Sequence, residues 1–145
     1  MGDKRVDHIA VAVSSLEKAL QFYKEQLGIK LIDIETVEEQ GVKVAKLDLG
    51  NTHIELLEPL GEDTPVGKFI AKRGEGLHHI CFGVDDIESG IENLKDCGVR
   101  LIDQSPKIGA GGAKIAFVHP KSTGGVLLEL SQPSPERSSN TSGDH

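Results

Sequence analysis

The chain has 145 residues, 37% of them hydrophobic, enough for one domain with a sizeable core. Its formal net charge is −7 and its pI near 5.3, which argues against nucleic acid or an anionic membrane as the main partner. No apolar run is long enough to span a bilayer, and aromatics at 3% make stacked bases or aromatic cages poor bets.

Met1–Val6 is polar and runs straight into a strand-like pattern, with no leader signature. That points to the cytoplasm, or to the mitochondrial matrix for a processed eukaryotic protein. Val6–Val13 alternates as a strand. Ser14-Ser15-Leu16-Glu17 then reads as a capping box, with Ser14 as the cap. Leu16, Ala19, Leu20, Tyr23 and Leu27 follow at helical spacing, and Gly28 is a natural stop. Val42–Leu49 and Thr52–Leu57 read as a hairpin turning at Gly50-Asn51. Residues 59–76 link two halves and carry a short helix at Val66–Lys72.

The second half repeats the first. Leu77–Val84 matches Val6–Val13, and Asp85-Asp86-Ile87-Glu88 repeats the cap. Ile87, Ile91 and Leu94 form the stripe, and Gly98 stops it. Gly98-Val99-Arg100-Leu101-Ile102-Asp103 is nearly the same text as Gly28-Ile29-Lys30-Leu31-Ile32-Asp33. Ala113–Val118 and Val126–Leu130 mirror the hairpin strands. The fold class expected is α+β: two tandem βαβββ modules, 6–58 and 77–132, in a single domain. They would form a cupped mixed sheet with the helices outside. Residues 133–145 should be a mobile tail. Cys81 and Cys97 read as two reduced core thiols.

Aligning the repeats puts His8 on His79 and Glu55 on Glu129. Each module thus offers one His on its first strand and one Glu on its last. By alternation His8 shares a face with Ala10 and Ala12, and His79 with Cys81 and Gly83. Small residues there leave room for a cavity. Glu55 and Glu129 sit among apolar strand residues, where a buried carboxylate needs a partner. A divalent metal bound by His8, Glu55, His79 and Glu129 supplies one. One such residue alone is usually solvated; four at symmetric positions shift the balance. The repeat register selects His79 over His78. His53 is more simply an exposed strand residue. Gly109-Ala110-Gly111-Gly112 is a weak phosphate cradle, because no helix follows it. Lys72, Arg73, Lys107, Lys114 and Lys121 could meet phosphates, but isolated lysines usually just keep a surface soluble.

Asp7-His8-Ile9-Ala10, Glu39-Gln40-Gly41-Val42, Glu55–Leu60, Gly76–Ile80 and Pro106–Gly109 through His119-Pro120-Lys121 to Gly125–Leu130 resemble the vicinal-oxygen-chelate superfamily and, within it, the methylmalonyl-CoA epimerase family. The likeness runs from Val6 to Gln132. It implies an isomerase acting on an acyl-CoA: α-proton removal, a metal-stabilised enolate and reprotonation interconvert (2R)- and (2S)-methylmalonyl-CoA, with Glu55 and Glu129 as the catalytic pair. It also implies one metal per chain, cobalt(II) ahead of zinc, manganese or nickel, and a homodimer. Substrate contacts fall to Gln40, Lys114, His119, Lys121 and Ser122. Some family members carry a separate base three residues after the Gly of Glu-Gln-Gly, with Gln where Glu55 stands. Here that base position is Val44. The competing readings are a glyoxalase I, an iron dioxygenase and a non-enzymatic binding module of the same fold.

Overall fold

The computed structural model describes residues 4–135, so residues 136–145 of the expected tail lie outside it. The fold is α+β, with eight strands among the described residues: β1 (Arg5–Ala12), β2 (Lys30–Val37), β3 (Val42–Asp48), β4 (His53–Pro59), β5 (Gly76–Gly83), β6 (Lys107–Ile108), β7 (Lys114–Val118) and β8 (Leu128–Gln132). The helices are α1 (Leu16–Leu20), continued by a π-helical stretch at Gln21–Gln26, α2 (Pro65–Arg73) and α3 (Ile87–Asp96). The described residues form two compact units, one of Asp7–Ile80 and one of residues 4–6 with 81–135.

In the Asp7–Ile80 unit, β2, β3 and β4 form an antiparallel meander, and β1 joins β4 in parallel. The helix covers one face. Val13, Leu16, Ala45, Leu47 and Leu56 make the core there, with Tyr23, Ile29 and Leu31 packed around them. Ala45, Leu47 and Leu56 are wholly buried. The helix cap is one residue later than the sequence suggests. Ser15, not Ser14, accepts from the Lys18 amide, and Glu58 on β4 accepts from the Leu16 amide at 2.8 Å. The Ser14 amide, which Glu17 was expected to reach, donates instead to the Glu75 carboxylate at 2.7 Å. Leu27, expected in the stripe, is exposed. The π stretch explains this: the Leu27 amide bonds back five residues to Phe22, so the last turn is wider than 3.6 residues and rotates Leu27 outward. The linker helix is present as α2, capped by Thr64.

In the other unit, β6, β7 and β8 are antiparallel, and Ile87 and Ile91 of α3 form a core with Val84, Leu101, Ala116, Val118 and Leu130. Asp86 caps α3 through the Ser89 amide, and Gln132 on β8 accepts from the Ile87 amide at 2.9 Å. The repeated text after α3 does not repeat the structure. Lys30–Val37 is an eight-residue strand, whereas the matching stretch keeps only a bridge from Leu101 to Val118 and, at its end, the start of the two-residue β6. Asp103 turns its carboxylate onto the Phe117 amide at 2.8 Å, taking a ladder position, and Pro106 lacks an amide to extend the pairing. Cys81 is buried, but Cys97 is exposed at the end of α3 and is not a core thiol; neither is in a disulfide.

Candidate metal and proton-transfer site

Buried polar or charged side chains are few. Among the described residues they are His8, Glu55, His79, Glu129 and Ser131. Four of the five are the four residues singled out by the repeat. Burial of such groups costs several kcal/mol unless each finds a partner, so their burial is itself a sign of a built site.

His8 stands on β1 beside Ala10 and Ala12, both fully buried with no side chain beyond a methyl. Ala10 pairs with Glu55 on β4, so the two side chains belong to one face of the sheet. In the Asp7–Ile80 unit the two histidines meet through Nε2, while Glu55 stands at the other ring nitrogen of His8. The Nε2 atoms of His8 and His79 lie 3.2 Å apart, with their rings edge to face. Glu55 Oε2 lies 3.4 Å from His8 Nδ1. Two metal–nitrogen bonds of about 2.1 Å, meeting between a right angle and a tetrahedral angle, place their nitrogens about 3.0–3.4 Å apart. The imidazole pair therefore fits a shared divalent ion. Glu129 occupies β8 of the other unit. It is buried and paired across to Phe117, on the face opposite the α3 core that holds Leu130.

Sequence reading missed three neighbours. Asp7 Oδ2 accepts from His8 Nδ1 at 2.7 Å. His78 Nδ1 lies 2.9 Å from His79 Nδ1, and its ring packs edge-on against Phe69 of α2. Lys46 pairs with Glu55 on β3 and so shares its face. Burial alone would raise the Asp7 carboxyl. The hydrogen bond and charge of His8, with the charges of Lys46 and His53, outweigh it and hold Asp7 below its usual value. Alternation hid Asp7 and His78, because neighbours along a strand nominally face opposite ways. Their contacts run around the backbone instead. The one signal available was that each precedes a candidate ligand in the repeat.

The remaining residues fall as follows. Val44 is buried, on the Glu55 face of β3, and paired with Leu57. His53 is half-buried, its Nδ1 3.3 Å from the Asp7 carbonyl. Gln40 ends a 3₁₀ turn after β2. Lys114 is not on the Glu129 face of its sheet; it shares a face with Ala116 and pairs with Glu88 of α3 at 3.0 Å. His119 accepts from the Lys121 amide and caps a 3₁₀ turn over Pro120–Ser122, and Ser122 Oγ accepts from the Arg100 amide. Partial desolvation, with the charges of Arg100 and Lys121, lowers the His119 pKa, which favours the neutral acceptor that the cap requires. Gly109 is extended, and Ala110–Gly112 is a 3₁₀ turn leading into β7, without a following helix.

A family profile described as the Glyoxalase/Bleomycin resistance protein/Dioxygenase superfamily matches residues 7–117. The human mitochondrial methylmalonyl-CoA epimerase is 46% identical over 129 residues, covering 88% of this chain and 73% of that protein. An ethylmalonyl-CoA/methylmalonyl-CoA epimerase of Cereibacter sphaeroides is 42% identical over 130 residues, covering 88% and 97%. A solved structure of methylmalonyl-CoA epimerase in complex with methylmalonyl-CoA and NH4+ superposes with a TM-score of 0.87 at 40% identity, covering 92% of this chain and 97% of that one. Among the described residues no helix is long and apolar enough to cross a membrane.

Proposed function

Since the chain belongs to the glyoxalase/bleomycin resistance protein/dioxygenase superfamily, we propose that it is a metal-dependent epimerase that interconverts (2R)- and (2S)-methylmalonyl-CoA. The observation that carries this reading is the buried imidazole pair, 3.2 Å apart at Nε2, with Glu55 beside it in a chain so similar to named epimerases.

His8, Glu55 and His79 would hold the ion, with Glu129 as the fourth ligand by the repeat. Cobalt(II) heads the choice, and zinc, manganese and nickel suit the same donors. Such an ion supplies Lewis acidity toward the substrate's thioester carbonyl and carboxylate oxygens. The protein's own groups must move the proton at C2. Epimerisation takes it from one face and returns it on the other, so a base and an acid are needed on opposite sides of a planar carbanion. Val44 has no ionisable group and cannot serve. Glu55 and Glu129, mates across the repeat, are assigned the two faces. Ala10 and Ala12 leave space for the small methylmalonyl unit. Lys121 is an exposed cation suited to the phosphates of the CoA tail, on a loop pinned by His119 and Ser122. A homodimer accompanies this reading.

The test is proton NMR of (2R)-methylmalonyl-CoA in deuterated water with cobalt-loaded protein. The α-proton signal should disappear as deuterium enters and the other epimer forms. Retention of the proton over many enzyme equivalents would end the assignment.

A further inference from the structure

The two site histidines are held from behind in the same manner. Each is preceded in sequence by a residue whose side chain meets its Nδ1: Asp7 for His8 at 2.7 Å, and His78 for His79 at 2.9 Å. The positions are equivalent in the repeat, yet the chemistry differs. One holder is a carboxylate and the other a neutral-capable imidazole.

We propose that Asp7 and His78 are positioning residues that fix the tautomer and aim of both histidines, so that the two Nε2 lone pairs converge on one ion. A carboxylate can only accept, so His8 must carry its proton on Nδ1, which leaves Nε2 with a lone pair. Only one hydrogen fits between the two Nδ1 atoms of His78 and His79. For His79 to offer Nε2 to the ion, that hydrogen belongs to His79, and His78 is the acceptor, protonated at its own Nε2. Phe69 fixes the plane of the His78 ring through their edge-to-face contact, 4.8 Å between centroids. Strand β1 and strand β5 thus each supply a ligand and its holder as adjacent residues. Groups that hold the second nitrogen of a metal-bound imidazole typically contribute 10–100-fold to metal affinity.

This inference rests on the metal reading above, but its test involves no acyl-CoA. Cobalt(II) affinity would be measured by competition with a chelator for the wild type and for Asp7→Ala, Asp7→Asn and His78→Phe. The same cobalt-loaded proteins would be compared by NMR for the shifted, exchangeable Nδ1–H signals of the two ligands. Wild-type protein should show both signals, protected from exchange with water. Asp7→Ala should lose protection at His8 alone and bind cobalt 10–100-fold more weakly. Asp7→Asn keeps an acceptor oxygen and should restore the protected signal with most of the affinity. His78→Phe, which preserves a ring against Phe69, should lose protection at His79 alone. Folded variants with wild-type affinity and both protected signals would overturn the proposal. Wild-type protein that binds no cobalt would overturn the metal reading beneath it, while the substrate assignment stands or falls separately, on the proton-exchange experiment above.

Discussion

Glu55 faces Lys46 across its sheet, whereas Glu129, its mate in the repeat, faces Phe117. Around this difference the two modules agree closely. Val13 donates to the Leu57 carbonyl as Val84 donates to that of Ser131, each at 2.9 Å. Glu58 and Gln132, three residues beyond the two glutamates, each accept from the first amide of a helix. The core residues correspond one to one: Leu16 with Ile87, Ala45 with Ala116, Leu47 with Val118, Leu56 with Leu130. The scaffold is therefore kept symmetric while the surroundings of the carboxylates are not. A cation beside one carboxylate and a phenyl ring beside the other give two groups of the same type different electrostatic settings, which suits a reaction needing a proton acceptor on one face and a donor on the other.

The sharpest way to break that comparison is to neutralise each glutamate in turn. Glu55→Gln and Glu129→Gln should each lower epimerisation by about 10²–10⁴-fold, the range for loss of one general acid or base. Their partial reactions should differ. Each variant should retain solvent deuterium exchange into one epimer and lose it for the other, with opposite preferences, read by NMR from each pure epimer. Equal and normal exchange into both epimers by both variants would remove the two-base account.

The next largest contrast lies in packing. Leu56 is wholly buried in the first core. Leu130 instead forms one wall of a cavity of about 330 Å³ lined also by Val84, Gly90, Leu94, Val99 and Leu128. Leu56→Ala should cost about 3–5 kcal/mol, because every neighbour loses contacts. Leu130→Ala, already adjoining open space, should cost about 2–3 kcal/mol. Urea denaturation of the two variants measures the gap, and equal costs would mean that the second core closes over its cavity in solution.

Much of this was legible in the sequence because the chain states its module twice. The register that aligned Ile9 with Ile80 also aligned His8 with His79, and both histidines are buried as alternation requires. Burial singled out Glu55 and Glu129 in the same way. What failed to show has a physical source in each case. Asp7 and His78 act along the strand rather than across it, which a two-residue period cannot reveal. The Glu58 and Gln132 caps depend on strands meeting helix ends far apart in sequence. The lost strand after α3 shares its text with β2 up to Asp103, and only there do a side-chain acceptor and then Pro106 redirect the chain. The first helix has one more residue than the second before its glycine stop, and the π-helical stretch takes up that residue within the same span. Periodicity counted at 3.6 therefore misplaced Leu27.

The smallest expected effect tests why the second core has a cavity. Ala19 in the first helix corresponds to Gly90 in α3, and Tyr23 corresponds to Leu94. The second helix thus presents less volume to its sheet at two positions. A methyl group added at Gly90 would meet only Leu130 Cδ1, at 3.9 Å, which is ordinary contact. Gly90 lies inside the helix, where glycine costs about 0.5–1 kcal/mol relative to alanine. Gly90→Ala should therefore stabilise the protein by about that amount, raising Tm by roughly 2–4 °C, and Ala19→Gly should lower it by a similar step. If Gly90→Ala destabilised the fold, the open space beside Leu130 would have to be a required feature of the second module rather than unfilled core. The symmetry of the two cores would then be broken for a reason of its own, as that of the two glutamates already is.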